Sequence, residues 1–203
     1  MQFLKNIEEI RARARRQIED GPVTKDYRLD REQAVSILNE ALATELVCVL
    51  RYKFHYFMAT GIHSAAVAAE FREHAREEQE HADRIAQRIR QLGGKPQMHP
   101  EVIAKASHSE YQEGSSLADM IREDLVAERI AIETYREIVN YFGEKDPTSR
   151  LMMEEILAKE EEHADELADL LFAVEPRTGD GHQQMYFGDE VPGRADAGKA
   201  TGN

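Results

Sequence analysis

Two nearly identical stretches of this chain, EEQEHAD at residues 77–83 and KEEEHAD at residues 159–165, each contain a Glu-x-x-His motif. Positions three apart share one face of a helix, so the Glu and His of each motif point in the same direction. Each motif also has a further Glu upstream at almost the same distance: 78 − 45 = 33 residues and 160 − 128 = 32 residues. The chain therefore has the same layout twice, which predicts two similar pairs of helices.

The apolar periodicity predicts four long helices separated by Gly- and Pro-containing breaks. Their predicted bounds are 30–59, 64–92, 115–142 and 147–173. The stretch between the second and third helices, about 94–114, is polar and predicted to be irregular. Short loops make antiparallel neighbours, and a long connection crosses the bundle. We therefore predict an all-α fold, a four-helix bundle with one long crossover between helices 2 and 3.

The ends of the chain differ from this central part in composition. Residues 1–29 are predicted to be an N-terminal arm that includes a short amphipathic helix rich in Arg, and an arm that packs on a neighbouring surface is favoured over one that contacts phosphate. Residues 30–173 would form the bundle. Residues 174–203, rich in Gly, Asp and Gln, are predicted to be a flexible tail.

Charge and cysteine content exclude several classes of protein. The net charge of −13 argues against general affinity for nucleic acid or an anionic membrane. We find no apolar run of the ~18 residues that a membrane span needs and no secretory signal, so a cytoplasmic protein is predicted. The single cysteine, Cys48, can form neither an internal disulfide nor a paired-thiol metal motif.

Glu45 and Glu128 interrupt the apolar faces of the first and third helices, where an unpaired carboxylate costs several kcal/mol. The midpoint of residues 45 and 78 is 61.5 and that of 128 and 160 is 144, which match the two predicted turns. All four Glu of the two layouts are thus expected at one height in the bundle. Their charge could be balanced by two divalent cations, with two imidazoles completing the ligand set. This predicts a metal site formed by Glu45, Glu78, His81, Glu128, Glu160 and His163.

This set of motifs resembles the ferritin-like di-iron carboxylate family, in particular bacterioferritin and Dps-like ferritins. The resemblance covers about residues 30–173 and implies a ferritin-like four-helix bundle. It implies that Glu78 and Glu160 bridge two iron ions, with manganese as an alternative, and that Tyr52 lies beside the metals. It also implies a ferroxidase and iron-storage or detoxification protein that oxidises Fe(II) with O2 or H2O2 in a homo-oligomeric shell.

The chain departs from this family in ways that leave alternatives open. Bacterioferritins have a haem-ligating Met directly after the second-helix Glu, where this chain has Gln79, so no haem is predicted. Dps proteins place their metals between subunits, and no fifth helix is predicted after residue 173. The alternatives are a rubrerythrin-like peroxidase, although the Cys pairs of a rubredoxin module are absent, a manganese catalase, or a Dps-like DNA-protecting particle.

Other residues near the predicted site have a functional and a structural interpretation. Tyr52 and Tyr135 could donate hydrogen bonds or electrons to the site, or could simply pack in the core. His74 could lie on an iron route or be an ordinary, partly exposed histidine. Cys48 is expected to be a small buried residue, and the histidines without ligand spacing are expected to be ordinary: His55, His63, His99, His108 and His182.

Overall fold

The computed structural model describes residues 6–16, 18–62 and 64–175, and within these ranges all regular structure is helical. The α-helices are α1 (Ile7–Arg16), α2 (Arg31–Met58), α3 (Ser64–Gln91), α4 (Pro100–Ala106), α5 (Leu117–Phe142) and α6 (Pro147–Val174). The four long helices begin and end within about two residues of their predicted bounds. The all-α bundle prediction is confirmed.

The long helices form two hairpins that pack on each other. α2 pairs with α3 and α5 pairs with α6 over most of their lengths, while α2 also packs on α5 and α3 on α6. α3 and α5 consequently occupy opposite corners of the bundle, and the chain crosses it between residues 92 and 116.

Local capping explains where the helices begin. The side chains of Asp30, Ser116 and Asp146 each accept a hydrogen bond from the backbone N–H three residues later, which satisfies a free donor at the helix start. Asp146 also accepts hydrogen bonds from Arg88 Nη2 at 2.9 and 3.0 Å and from Tyr27 Oη at 3.0 Å. This one carboxylate therefore joins α6 to α3 and to the segment that precedes α2.

The crossover is more ordered than the sequence predicted. Residues 94–114, predicted to be irregular, contain α4, which starts at Pro100 and packs on α2. Proline is favoured in the first turn of a helix because it has no N–H that could go unsatisfied there. A helix of this length is too short for periodicity to identify it.

Side chains of α2 hold the later part of the crossover. Arg51 Nη1 donates to the Glu110 carbonyl at 2.9 Å, and His55 Nε2 lies 3.1 Å from the carbonyls of Gln112 and Glu113. Both side chains are buried and also contact the buried carboxylate of Asp124 on α5, at 2.7 and 2.8 Å. The crossover is thus tied to two helices of the bundle.

The core consists of two apolar clusters separated by a polar layer. One contains Leu42 on α2, Ile85 on α3 and Ile156 on α6, and the other contains Phe71 on α3 and Leu167 on α6. Along each long helix, the residues of the predicted metal site lie between these two clusters. The bundle therefore places them at mid-height.

The first and last segments add little to this core. α1 has no buried residue, although the following Val23, Tyr27 and Leu29 pack against the bundle. The predicted tail lies outside the described residues from 176 onward. Among the described helices, α2 is long and apolar enough to cross a membrane by length and composition, but 56% of the apolar stretch is buried in the bundle, as in a core helix.

Candidate metal centre

The six side chains predicted to form a metal site lie together in the polar layer. They form two sets whose ligand atoms all lie within 4.8 Å of one another: Glu45, Glu78, His81 and Glu160 in one, and Glu78, Glu128, Glu160 and His163 in the other. All six are buried. Glu78 and Glu160 belong to both sets, so the geometry is that of two adjacent cation positions that share two carboxylates.

The imidazoles face the shared carboxylates through their Nδ1 atoms. His81 Nδ1 lies 3.0 Å from Glu160 and 3.8 Å from Glu78, while His163 Nδ1 lies 3.2 Å from Glu78 and 3.4 Å from Glu160. Each histidine therefore contacts the shared glutamate of the opposite hairpin more closely than that of its own helix. The centre joins the two hairpins.

Several ligand atoms of the six make no well-aligned hydrogen bond to the described residues, although they lie within ion-pair distance of one another. They include one or both side-chain oxygens of each of the four glutamates and the Nδ1 of both histidines. Buried polar atoms are normally paired, because an unpaired one costs about 1–3 kcal/mol. Since these atoms converge on the same two positions, they fit a pair of bound metal ions.

The electrostatics of the centre also fit cations. Burial raises the pKa of Glu45 and of Glu128 well above the usual glutamate value, and the charges of Glu78 and Glu160 raise it further. Ionised carboxylates repel one another here, and two divalent ions would remove that repulsion.

The same carboxylates favour the charged form of the two histidines, whereas they disfavour the charged form of Glu45 and Glu128. Burial alone lowers the pKa of His163, but its contacts with Glu160 and Glu78 outweigh burial and raise the pKa to about 12. The same balance raises the pKa of His81 well above its usual value. Without metal, the imidazoles are thus held as cations, and a metal ion would take the place of their protons.

Two tyrosines hold the outer carboxylates in a crossed arrangement. Tyr52 on α2 donates a hydrogen bond to Glu128 on α5, and Tyr135 on α5 donates to Glu45 on α2. Burial, followed by the charge of these glutamates, raises the pKa of both phenols well above the usual value, so each remains a donor. Both tyrosines thus contact the centre and are not only core residues.

One residue next to the centre is not part of either Glu-x-x-His motif. Glu77 belongs to a Glu-rich stretch of α3, yet its side chain is only 17% exposed and its Oε2 lies 2.8 Å from His163 Nε2. The contact fixes which nitrogen of His163 carries the proton and leaves Nδ1 facing the centre. The sequence gives one indication of this contact, because Glu77 directly precedes Glu78. Which Glu of a Glu-rich helix turns inward, however, depends on how α3 packs on α6.

Among the residues that the structure describes, the second half of the chain has no counterpart of this contact. The residue that precedes Glu160, as Glu77 precedes Glu78, is Lys159. Its ammonium lies 3.5 Å from Glu77 and 2.7 Å from Glu162. His163 therefore has a carboxylate on its distal nitrogen, and the position equivalent to Glu77 in the other half is a cation.

The structure also places the remaining candidate residues. His74 is buried, stacks on the His163 ring at a centroid distance of 4.1 Å and contacts Tyr52 edge-on at 5.2 Å. Cys48 is buried near Arg51, and burial raises the pKa of its thiol well above the usual value, which favours the unreactive protonated form. His55, expected to be ordinary, is a fully buried partner of Asp124.

A bundle of four long helices with a buried carboxylate–imidazole layer defines a class of helical protein built around a candidate two-metal centre. The family model of the ferritin-like domain matches residues 35–175, and the chain belongs to this family. The resemblance inferred from the motifs is thereby confirmed.

Relatives of known name fall into two groups. The chain is 32% identical to a bacterioferritin of Rhodobacter capsulatus over 66% of this chain and 79% of that protein. It is 30% identical to the nutrient stress-induced DNA-binding protein of a Synechococcus strain over 66% of this chain and 78% of that protein. Family membership thus supports iron storage or iron oxidation as the general class of function.

Among solved structures, the bacterioferritin-related protein from Bacteroides fragilis, described as a dodecameric thioferritin, has a TM-score of 0.69 and 34% identity. The match covers 72% of this chain and 88% of that one. A Dps homologue from Halobacterium salinarum also has a TM-score of 0.69, with 25% identity over 76% of this chain and 88% of that one.

Proposed function

We propose that this protein is a ferroxidase that takes up Fe(II) as its substrate at the centre and passes the oxidised iron to storage. The observation that carries the proposal is the pair of ligand sets that share Glu78 and Glu160. Two positions that share two carboxylates hold two ions close together, so that one oxidant can take an electron from each.

The electron balance needs two ions. Two Fe(II) become two Fe(III) and release two electrons, which with two protons reduce O2 to H2O2, or with two protons reduce H2O2 to two molecules of water. A single Fe(II) supplies only half of either reduction. The two adjacent positions therefore suit both oxidants.

The donor set is compatible with iron as the substrate. Carboxylates and imidazoles suit iron or manganese better than a thiol-preferring metal, and Cys48 is not part of either set. Four carboxylates carry about the charge of two divalent ions. Oxidation to Fe(III) raises the positive charge, which weakens the repulsion among the carboxylates further.

In this proposal, Glu78 and Glu160 bridge the ions, Glu45 and Glu128 bind one ion each, and His81 and His163 complete the two sets. Tyr52 and Tyr135 orient the outer carboxylates through their hydrogen bonds. Tyr52 is the tyrosine that we assign beside the reacting metals, on the family resemblance and on its hydrogen bond to Glu128. The absence of haem stays a prediction from Gln79, whose amide donates to Asp83 at 3.0 Å.

The test is Fe(II) oxidation under single-turnover conditions. Wild-type protein given two Fe(II) per chain should show a fast rise in Fe(III) absorbance when mixed with O2 or H2O2. Glu78→Ala should lose the fast phase, because it removes a ligand of both positions. Glu80→Ala is the matched control, since Glu80 lies only two residues away on the same helix but is exposed. Equal fast phases in wild type and Glu78→Ala would contradict the proposal.

We also propose that the chain assembles into a hollow homo-oligomer in the cytoplasm. The dodecamer named for the Bacteroides fragilis relative supports a shell, and its match covers most of both chains. Native mass measurement of the iron-loaded protein tests this directly. A large particle with many irons per chain is expected, and a dimer with two irons per chain would show a soluble di-iron enzyme instead.

One observation favours a second function, a particle that coats DNA. α1 is exposed and carries Arg11, Arg13, Arg15 and Arg16, and the Synechococcus relative is named as DNA-binding. The net charge of −13 opposes it. A gel-shift series in increasing salt decides, because a phosphate-binding arm loses affinity steeply as salt rises.

A further inference from the structure

A third group of potential ligands lies beside the centre. It consists of Glu70 and His74 on α3 and Glu166 on α6, whose ligand atoms lie within 4.8 Å of one another. His74 Nε2 is 2.9 Å from Glu166 Oε2 and 3.5 Å from Glu70 Oε1. One imidazole nitrogen and two carboxylates from two helices thus converge on one point.

This group reaches from solvent to the centre. The side chains of Glu70 and Glu166 are 34% and 43% exposed, whereas that of His74 is 1% exposed. The buried face of the His74 ring stacks on His163. An ion held by these three residues would be open to water on one side and would lie next to a ligand of the centre on the other.

The third group is absent from the other half of the chain. Adding the 82-residue offset between the two motifs, 160 − 78 = 82, takes Glu70 to Met152 and His74 to Ile156. Subtracting it takes Glu166 to Arg84, which pairs with Glu155. A thioether, an alkyl chain and a guanidinium cannot bind a cation together, so the group is an addition on one side of a duplicated layout.

A hydrogen-bonded histidine alone explains the contacts incompletely. A single N–H on His74 Nε2 can satisfy Glu166 at 2.9 Å, but it leaves Glu70 at 3.5 Å without a close hydrogen bond from the ring. A cation on Nε2 would bind both carboxylates at once.

We propose that Glu70, His74 and Glu166 form a third divalent-cation site, which receives ions from solvent next to the centre. The donor set of one imidazole and two carboxylates, with water in the remaining positions, suits Fe(II), Mn(II), Co(II) or Zn(II). Fe(II) is its natural ion if the proposed ferroxidase function is right. The site itself requires only the three residues.

The test is a calorimetric titration with Co(II), which is not oxidised by air under these conditions. Wild type should bind three Co(II) per chain, and the Glu70→Gln/Glu166→Gln variant should bind two. Both substituted residues are partly exposed, so the variant keeps the bundle core intact. The affinity for the third ion should fall by more than about 100-fold, because even partners that lie behind a ligand cost about 10–100-fold.

Two further variants make the outcomes distinct. Glu154→Gln is the matched control, since Glu154 lies on α6 and is 44% exposed, as Glu166 is 43% exposed, and it should bind three. Glu78→Ala/Glu160→Ala removes the centre and should bind one Co(II).

Two Co(II) in wild type and in the Glu70→Gln/Glu166→Gln variant would overturn the third site and leave the ferroxidase proposal standing. One Co(II) in wild type that survives Glu78→Ala/Glu160→Ala would show the third site and refute the centre.

Discussion

The contact between Glu77 and His163 leads to a prediction about how unequal the two metal positions are. Glu77 Oε2 lies 2.8 Å from His163 Nε2 and holds a proton on that nitrogen, so that Nδ1 is the nitrogen whose proton an ion would replace. Replacing Glu77 by Gln keeps an acceptor and removes its charge, and replacing it by Ala removes both. The position bound by His163 should weaken in both variants, more in the second.

The magnitude follows from the kind of contact. A carboxylate behind a metal-bound histidine is worth about 10–100-fold in metal affinity, which is about 1.4–2.7 kcal/mol. Charge-assisted hydrogen bonds are roughly twice as strong as neutral ones. We therefore expect about 10-fold weaker binding for Glu77→Gln and about 100-fold for Glu77→Ala, at one position only. The position bound by His81 has no such contact with Glu77 and should keep its affinity.

The assay is the Co(II) titration in the Glu70→Gln/Glu166→Gln background, where only the centre is measured. With Glu77 in place, the titration should show two binding steps. The Glu77 variants should weaken the affinity of one of them. Isothermal calorimetry gives both constants, and the ligand-field absorption of Co(II) reports the change around His163.

Two results would refute this reasoning. If both steps weaken equally, Glu77 acts on the whole centre through its charge and not through one histidine. If neither weakens, the contact does not orient the ligand. Glu73→Gln is the control, because Glu73 is an exposed residue one turn before Glu77 whose contacts are to Arg76.

Three further predictions concern stability and rate. Asp124→Ala should lower the free energy of unfolding by about 3–5 kcal/mol in a denaturant titration, because it leaves the buried Arg51 guanidinium without its carboxylate; exposed Asp169→Ala should change it by less than about 0.5 kcal/mol. The metal-free protein should lose stability as pH rises from 7 to 9, by up to about 1.4 kcal/mol per pH unit for His163. The raised pKa of His163, about 12 against 6.5, means that its contribution is complete below pH 6.5 and is lost as pH rises toward 12, so thermal melting should fall with pH without metal and recover with Co(II). Tyr52→Phe should slow single-turnover Fe(II) oxidation by about 10-fold through loss of one buried hydrogen bond of about 1–1.5 kcal/mol, and an unchanged rate would assign Tyr52 to packing alone.

The sequence predicted the four long helices well because their signals are local. Asp30 and Ser116 cap helices through their own side chains, and apolar residues repeat at helical spacing for more than 20 positions. α4 was missed because seven residues give too few repeats. Apolar periodicity identifies a helix only when the pattern repeats over enough residues.

The candidate centre was predictable for a different reason. Glu45 and Glu128 contradict the apolar faces on which they lie, and their spacing to the Glu-x-x-His motifs is the same in both halves. The structure brings the six side chains together at the expected height, and their role as metal ligands stays a prediction. The repetition of the same spacing in both halves predicted the site, which one Glu-x-x-His motif alone would not have done.

The sequence did not reveal the contacts that depend on how helices rotate against one another. Glu77 and Glu80 look alike in a Glu-rich stretch, yet one contacts His163 and the other pairs with Arg76. The buried group of Arg51, His55 and Asp124 was missed because its members lie on two helices, 73 and 69 residues apart. Such contacts are set by packing, which no single-helix pattern records.

The crossed hydrogen bonds between the hairpins have a consequence for synthesis of the protein. Each outer glutamate takes its tyrosine from the opposite hairpin, and each ligand set includes a glutamate from both. A nascent chain that has reached only the end of α3 has three of the four residues of one set and one of the four residues of the other, and neither pocket is finished. The ribosome must release α6 before the candidate centre is complete, so under the proposed function a partly made chain would not expose a complete redox centre to oxygen.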